Sequence, residues 1–187
     1  MSYDLSVHLK GLNDSIIPEW LSEIRKFNMD VEVYPGFSFN THSGFLPFKV
    51  VIYDCPNSSL NNIKLMTGFE WFVRHIEVKG KKGTFFTKIF GKQQPLRLIE
   101  KKLREAETEI SFYISTKDSF EFRMGWYSAA TLALLCDGVL TDLQEGIQLE
   151  GSQLIRHAHE VVLKDERLIN KDDWRVHEFK EWLGEHK

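Results

Sequence analysis

Tyr3, Leu5, Val7 and Leu9 alternate with Asp4, Ser6, His8 and Lys10, and this two-residue period predicts a strand with one buried face. The period then changes. Ile17, Trp20, Leu21 and Ile24 fall at i, i+3, i+4 and i+7, a helical stripe that Ser15 is placed to cap, with Pro18 tolerated in the first turn. That helix should end near Asn28. Met29, Val31 and Val33 next alternate with Asp30, Glu32 and Tyr34 until Pro35-Gly36 forces a turn, and a further strand runs from about Leu46 to Tyr53.

The stretch Gly68 to Val78 reads as a strand with Phe72, Arg74 and Ile76 on one side and Trp71, Val73 and His75 on the other. Gly80-Lys81-Lys82-Gly83 should turn it back into Thr84–Phe90 as a hairpin, and Pro95 should open a short charged helix ending near Glu107. A second strand-helix pair follows. Ile110–Ser115 is the strand, and an Asp118 or Ser119 cap leads into a helix carrying Trp126, Tyr127, Ala130, Leu132, Ala133 and Leu134, apolar on most faces and hence the buried helix of the core. Its first residues, Phe120, Phe122 and Met124, also fit a strand. Gly138 is placed to end the helix in the left-handed conformation. Beyond it lie candidate strands Val139–Leu143 and Ile147–Glu150 and two helices, about Ser152–Asp165 and Asp172–Gly184.

These elements describe an α+β fold, with a mixed or largely antiparallel sheet and helices packed on one side. The order β-α-β-β occurs twice, so the chain divides into related-looking halves, 1–107 and 108–187. No residue-level repeat supports a duplication, and a single compact domain over 1–187 is the expectation.

Charge adds a second kind of pattern. Residues 61–104 hold eleven Lys/Arg against three Asp/Glu, whereas 1–60 hold four against seven and 105–187 nine against seventeen. A field divided in this way can orient a charged partner or a second copy of the chain. The overall balance is only −3, which does not favour nucleic acid as the partner. No run approaches the roughly 18 apolar residues of a membrane span, and the first ten residues lack the apolar centre of a leader, so a cytoplasmic protein is expected. Cys55 and Cys136 have no CxxC partners and read as small buried hydrophobes.

Several local features invite chemistry. In Arg156-His157-Ala158-His159-Glu160 the two histidines point about 200° apart on a helix, so they do not chelate one ion together, and no metal is assigned. Gly80-Lys81-Lys82-Gly83 has the GxxG spacing of KH domains, but there the loop joins helices and here its flanks alternate like strands, so a basic hairpin tip including Lys81, Lys82 and Lys88 is the better reading. Phe37, Phe39 and Phe45, with the polar Asn40 and His42, form the most suggestive loop: a recognition surface, or equally rings tucked over the sheet. Asp142 and Glu145, beyond the buried helix, are turn-forming acids or pocket carboxylates. No GxSxG, P-loop, GxGxxG or HExxH motif occurs, and no catalytic residue or cofactor is assigned.

From Phe122 to Gly151 a buried helix ends in Cys136-Asp137-Gly138-Val139 and continues as Thr141-Asp142-Leu143-Gln144-Glu145-Gly146. This stretch resembles small stand-alone bacterial α+β proteins, some of them immunity proteins that neutralise toxins. The resemblance implies a protein that binds one toxin domain by charge complementarity, through the basic hairpin around Lys79–Lys92 or the acidic C-terminal region, and that performs no catalysis. The alternative is a small-molecule-binding protein or enzyme whose pocket joins the loop Phe37–Phe45 to Asp142 and Glu145.

Overall fold

The computed structural model describes residues 2–55, 57–76, 98–115, 119–170, 173, 174 and 182. Among the described residues seven strands run β1 (Ser2–Leu9), β2 (Met29–Val33), β3 (Gly44–Ile52), β4 (Lys64–His75), β5 (Thr108–Ser115), β6 (Val139–Asp142) and β7 (Ile147–Leu149). They form one sheet in the order β2-β3-β4-β5-β1-β6-β7, with every neighbouring pair antiparallel. The α-helices are α1 (Ile17–Arg25), α2 (Leu98–Glu105), α3 (Ser119–Leu135) and α4 (Gln153–Leu168). The fold is α+β with helices on one side of the sheet.

The two-residue period explains the layering. Leu5, Val7 and Leu9 of β1 point inward with Ile110, Phe112 and Ile114 of β5, Phe69 and Trp71 of β4, and Leu46, Phe48 and Val50 of β3. Across the middle of this face lies α3, apolar almost all round and packed on β1, β4, β5 and β6. The helix wins over the strand alternation at Phe120–Met124, because Phe120, Met124 and Tyr127 recur at helical spacing and all are buried. A side chain at Gly125 would overlap Ile114, so glycine is what lets α3 approach β5. Beside α3, α4 buries Leu154, Ala158 and Val162 at four-residue intervals.

Three details differ from the sequence expectation. Asn13, not Ser15, supplies the cap: its Oδ1 accepts the Ser15 N–H at 2.8 Å and starts a 3-10 turn, Asp14–Ile16, that leads into α1. At the end of α3 the left-handed residue is Asp137 (φ 49°), not Gly138. The Gly138 N–H donates to the Ala133 carbonyl at 2.7 Å and the Asp137 N–H to that of Leu134 at 3.3 Å, the paired bonds of a Schellman ending. Gly138 is needed for space, since a side chain there would lie 2.7 Å from the His8 carbonyl oxygen. The two β-α-β-β runs also differ in topology: the first places β2 at the sheet edge and β3 inside, whereas the second places β6 inside and β7 at the edge. The hairpin return Thr84–Phe90 and most of the helix expected over Asp172–Gly184 lie outside the described residues.

Candidate functional site

The expected recognition loop turns inward. Phe39 is fully buried and Phe37 nearly so, each within 6 Å of Trp20 and Trp71, with Phe37 and Phe39 ring centroids 5.1 Å apart. Asp14 holds the loop in place by accepting the Phe39 N–H at 2.8 Å. His42 bonds the Phe45 carbonyl oxygen through Nε2 at 3.1 Å, and both residues are half-buried. Of the two readings that the sequence left open for this loop, Phe37 and Phe39 follow the one in which rings cover the sheet. Lys81, Lys82 and Lys88 lie outside the described residues.

Asp142 and Glu145 do reach a cleft. Its volume is about 330 Å³, and its walls come from Tyr3, Phe122, the β6–β7 hairpin and one stripe of α4. No residue of 37–45 belongs to those walls, so the loop and the two carboxylates do not converge. His157, Val161, Lys164, Asp165 and Leu168 form the α4 stripe, spaced as one helical face. Tyr3 and Phe122 meet edge to face at 5.2 Å, and buried Trp126 lies behind them, 5.9 Å from Tyr3 and 5.7 Å from His157. His159 lies on another side of α4, where Tyr127 Oη is 3.0 Å from its Nδ1, so the two histidines are separated as their spacing requires.

Asp142 builds the hairpin. Its Oδ1 accepts the N–H groups of Gln144 and Glu145 at 3.0 and 3.1 Å, and its Oδ2 accepts the Tyr3 hydroxyl proton at 2.5 Å. Gly146 (φ 66°) completes the turn in the left-handed region. Two further bonds fix the turn to β1: the Asp4 N–H donates to Gln144 Oε1, and the Leu143 N–H donates to the Asp4 carbonyl oxygen. Burial, reinforced by the Asp142 carboxylate, raises the Tyr3 phenol well above its ordinary range, so Tyr3 stays a neutral donor. Asp142, fully buried with both oxygens engaged, is committed to structure.

Glu145 and Asp165 are placed differently. Glu145 is exposed on the hairpin wall, Asp165 half-buried on the helix wall, and among the described residues neither carboxylate accepts a hydrogen bond or forms an ion pair. Burial and the neighbouring Glu166 raise the Asp165 carboxyl above its ordinary range. The cations nearby are Lys164 and, when protonated, His157. At the rim Leu168 is 77 % exposed.

Of the residues around this cleft, sequence reasoning named Asp142 and Glu145 as pocket carboxylates and considered His157 only as a metal ligand, and it gave no site role to Tyr3, Phe122, Asp165 or Leu168. The signal for the helix wall was the spacing 157, 161, 164/165, 168, a second stripe on α4 beside its buried one. Among the described residues no group of three or more His, Cys, Asp or Glu side chains could hold a metal ion, and no helix is long and apolar enough to cross a membrane. No family model, no curated protein and no solved structure matches this chain.

Proposed function

We propose that the protein works by binding another protein, and that the cleft between the β6–β7 hairpin and α4 receives a basic side chain of that partner. One observation carries this reading: two carboxylates without partners among the described residues, Glu145 and Asp165, face a cleft with aromatic residues at its base and the exposed Leu168 at its rim. A half-buried carboxylate that forms no ion pair is costly, and an arriving guanidinium or ammonium removes that cost. Apolar anchors beside a charged pocket are the usual composition of a protein contact. Asp142 belongs to the support of this site, as the group that shapes the turn on which Glu145 sits.

The resemblance of Phe122–Gly151 to immunity-type proteins suggests a toxin domain as the partner, since that stretch supplies Phe122 and the whole hairpin wall. Titration with N-acetyl-arginine amide tests the cleft directly. Nuclear magnetic resonance signals of Tyr3, Ile147 and Val161 should shift saturably in the millimolar range, and Glu145→Gln with Asp165→Asn should weaken binding about fivefold or more. N-acetyl-glutamate amide should leave these signals in place. Shifts centred elsewhere, or binding indifferent to the two substitutions, would overturn the reading.

A further inference from the structure

The two edges of the sheet are finished in different ways. At β2 the main chain of Val31 is already occupied: its N–H donates to Asp30 Oδ1 at 2.9 Å and its carbonyl oxygen accepts from Arg25 Nη2 at 2.6 Å. Arg25 Nε also donates to Asp30 Oδ1 at 2.9 Å, so the two side chains brace one another along the edge. A strand arriving there would have to displace this pair, a common means of closing a sheet edge. At β7, among the described residues, no side chain bonds to the main chain of Ile147, Gln148 or Leu149. Among the described residues that edge has no partner, and it adjoins the cleft, since Ile147 is part of the cleft wall.

We infer that β7 accepts an extended segment of a partner protein as an eighth strand, with a basic residue of that segment seated between Glu145 and Asp165. The inference rests on the cleft reading above and adds to it the conformation of the partner. A strand laid beside β7 sits roughly 4.8 Å away and sends alternate side chains to each face. Those on the Ile147 face project beneath the α4 stripe, toward Val161, Asp165 and Leu168. Side chains on the other face lie beside exposed Gln148, which places no demand on them. Because β7 spans three residues, main-chain bonding is brief, and discrimination falls to the side chain in the cleft.

A peptide series separates strand addition from simple cleft binding. Acetyl-Thr-Val-Arg-Val-Thr-amide should bind about tenfold more tightly than N-acetyl-arginine amide. Two analogues, one N-methylated at both valines and one at the arginine, present methyl groups to opposite edges of the peptide. Strand addition requires that one analogue fall back to the affinity of arginine amide while the other keeps the gain. Equal behaviour of the two analogues, or no gain for the parent peptide, overturns strand addition and leaves the cleft reading standing. Failure of arginine amide itself overturns both. Sedimentation showing that the free chain is a dimer which the peptide dissociates would assign the β7 edge to a second copy, and the partner assignment would fall.

Discussion

Arg123 is the most consequential single side chain in the interior. It is 2 % exposed on α3, and its guanidinium forks onto Glu166 of α4 at 2.5 and 2.9 Å while donating through Nη1 to Asp54 at 2.9 Å. A buried pair of this kind adds little net stability over well-packed apolar residues, but removing one partner strands the other charge. Arg123→Met should therefore cost about 3–5 kcal/mol of unfolding free energy by leaving Glu166 unpaired. Joining it to Glu166→Leu should restore most of that loss. Urea unfolding of the two variants measures both values, and a single variant no less stable than the double one would contradict this account. Sequence alone hid the pair, because Arg123 reads as a polar interruption of an apolar helix and Glu166 as one more charge in Lys-Asp-Glu-Arg. What joins them, two residues 43 apart in the chain, is the packing of α4 against α3.

At the scale of elements, legibility followed burial. Strands β1, β2 and β5 have one face in the core and one outside, so their polar and apolar positions alternate and their limits were readable to within a residue or two. The end of α3 was harder. Asp137 takes the left-handed position there and its carboxylate accepts from Lys102 of α2 at 2.6 Å, a tertiary contact that a local rule favouring glycine does not contain. The cleft was legible only on its hairpin wall, where acids and a glycine mark a turn; the other wall depended on the direction in which α4 leaves that turn. The β2 edge yields a prediction of its own. Arg25→Ala with Asp30→Ala frees the Val31 main chain, and the double variant should self-associate or aggregate at concentrations where the parent stays monomeric. Light scattering checks this, and an unchanged monomer would show that the edge is closed by something else.

For the molecule as a whole, three described cations of the basic middle segment, Lys64, Arg74 and Lys102, are paired with carboxylates from the acidic ends. Lys64 meets Glu32 at 3.4 Å, Arg74 is bonded to Glu109, and Lys102 lies 2.6 Å from Asp137 and 3.1 Å from Glu150. Among the described residues the middle segment contributes β4, which lies between strands from the two acidic ends, and this brings Lys64 to Glu32 and Arg74 to Glu109. This mixing sets the response to pH. Burial lowers the affinity of His8 for its proton, with Arg74 adding to the effect and Glu109 opposing it. Burial likewise lowers that of His42 against the hydrogen bond to the Phe45 carbonyl. Each is protonated more readily in the unfolded chain, so stability present above the ordinary histidine value of 6.5 is lost as pH falls below it. Glu109 acts at lower pH. Burial would raise its carboxyl, but bonds from Arg74 and Ser6 outweigh that and hold it below 4.5, and the stability it confers disappears as pH falls through its folded value. The melting temperature should decline from pH 7 to 5, and His8→Gln with His42→Gln should flatten the decline. A slope that ignores both substitutions would place the titration elsewhere.

The position of β1 bears on how the molecule is made. Its neighbours are residues 108–115 on one side and 139–142 on the other, so during synthesis β1 waits, unmatched, until more than a hundred further residues have followed it. Meanwhile β2, β3 and β4 can form their meander from nearby sequence alone. Placing β1 between β5 and β6 is thus a long-range closure, of the kind that is slow to form, and until it is made the apolar side of Leu5, Val7 and Leu9 has no cover from those strands.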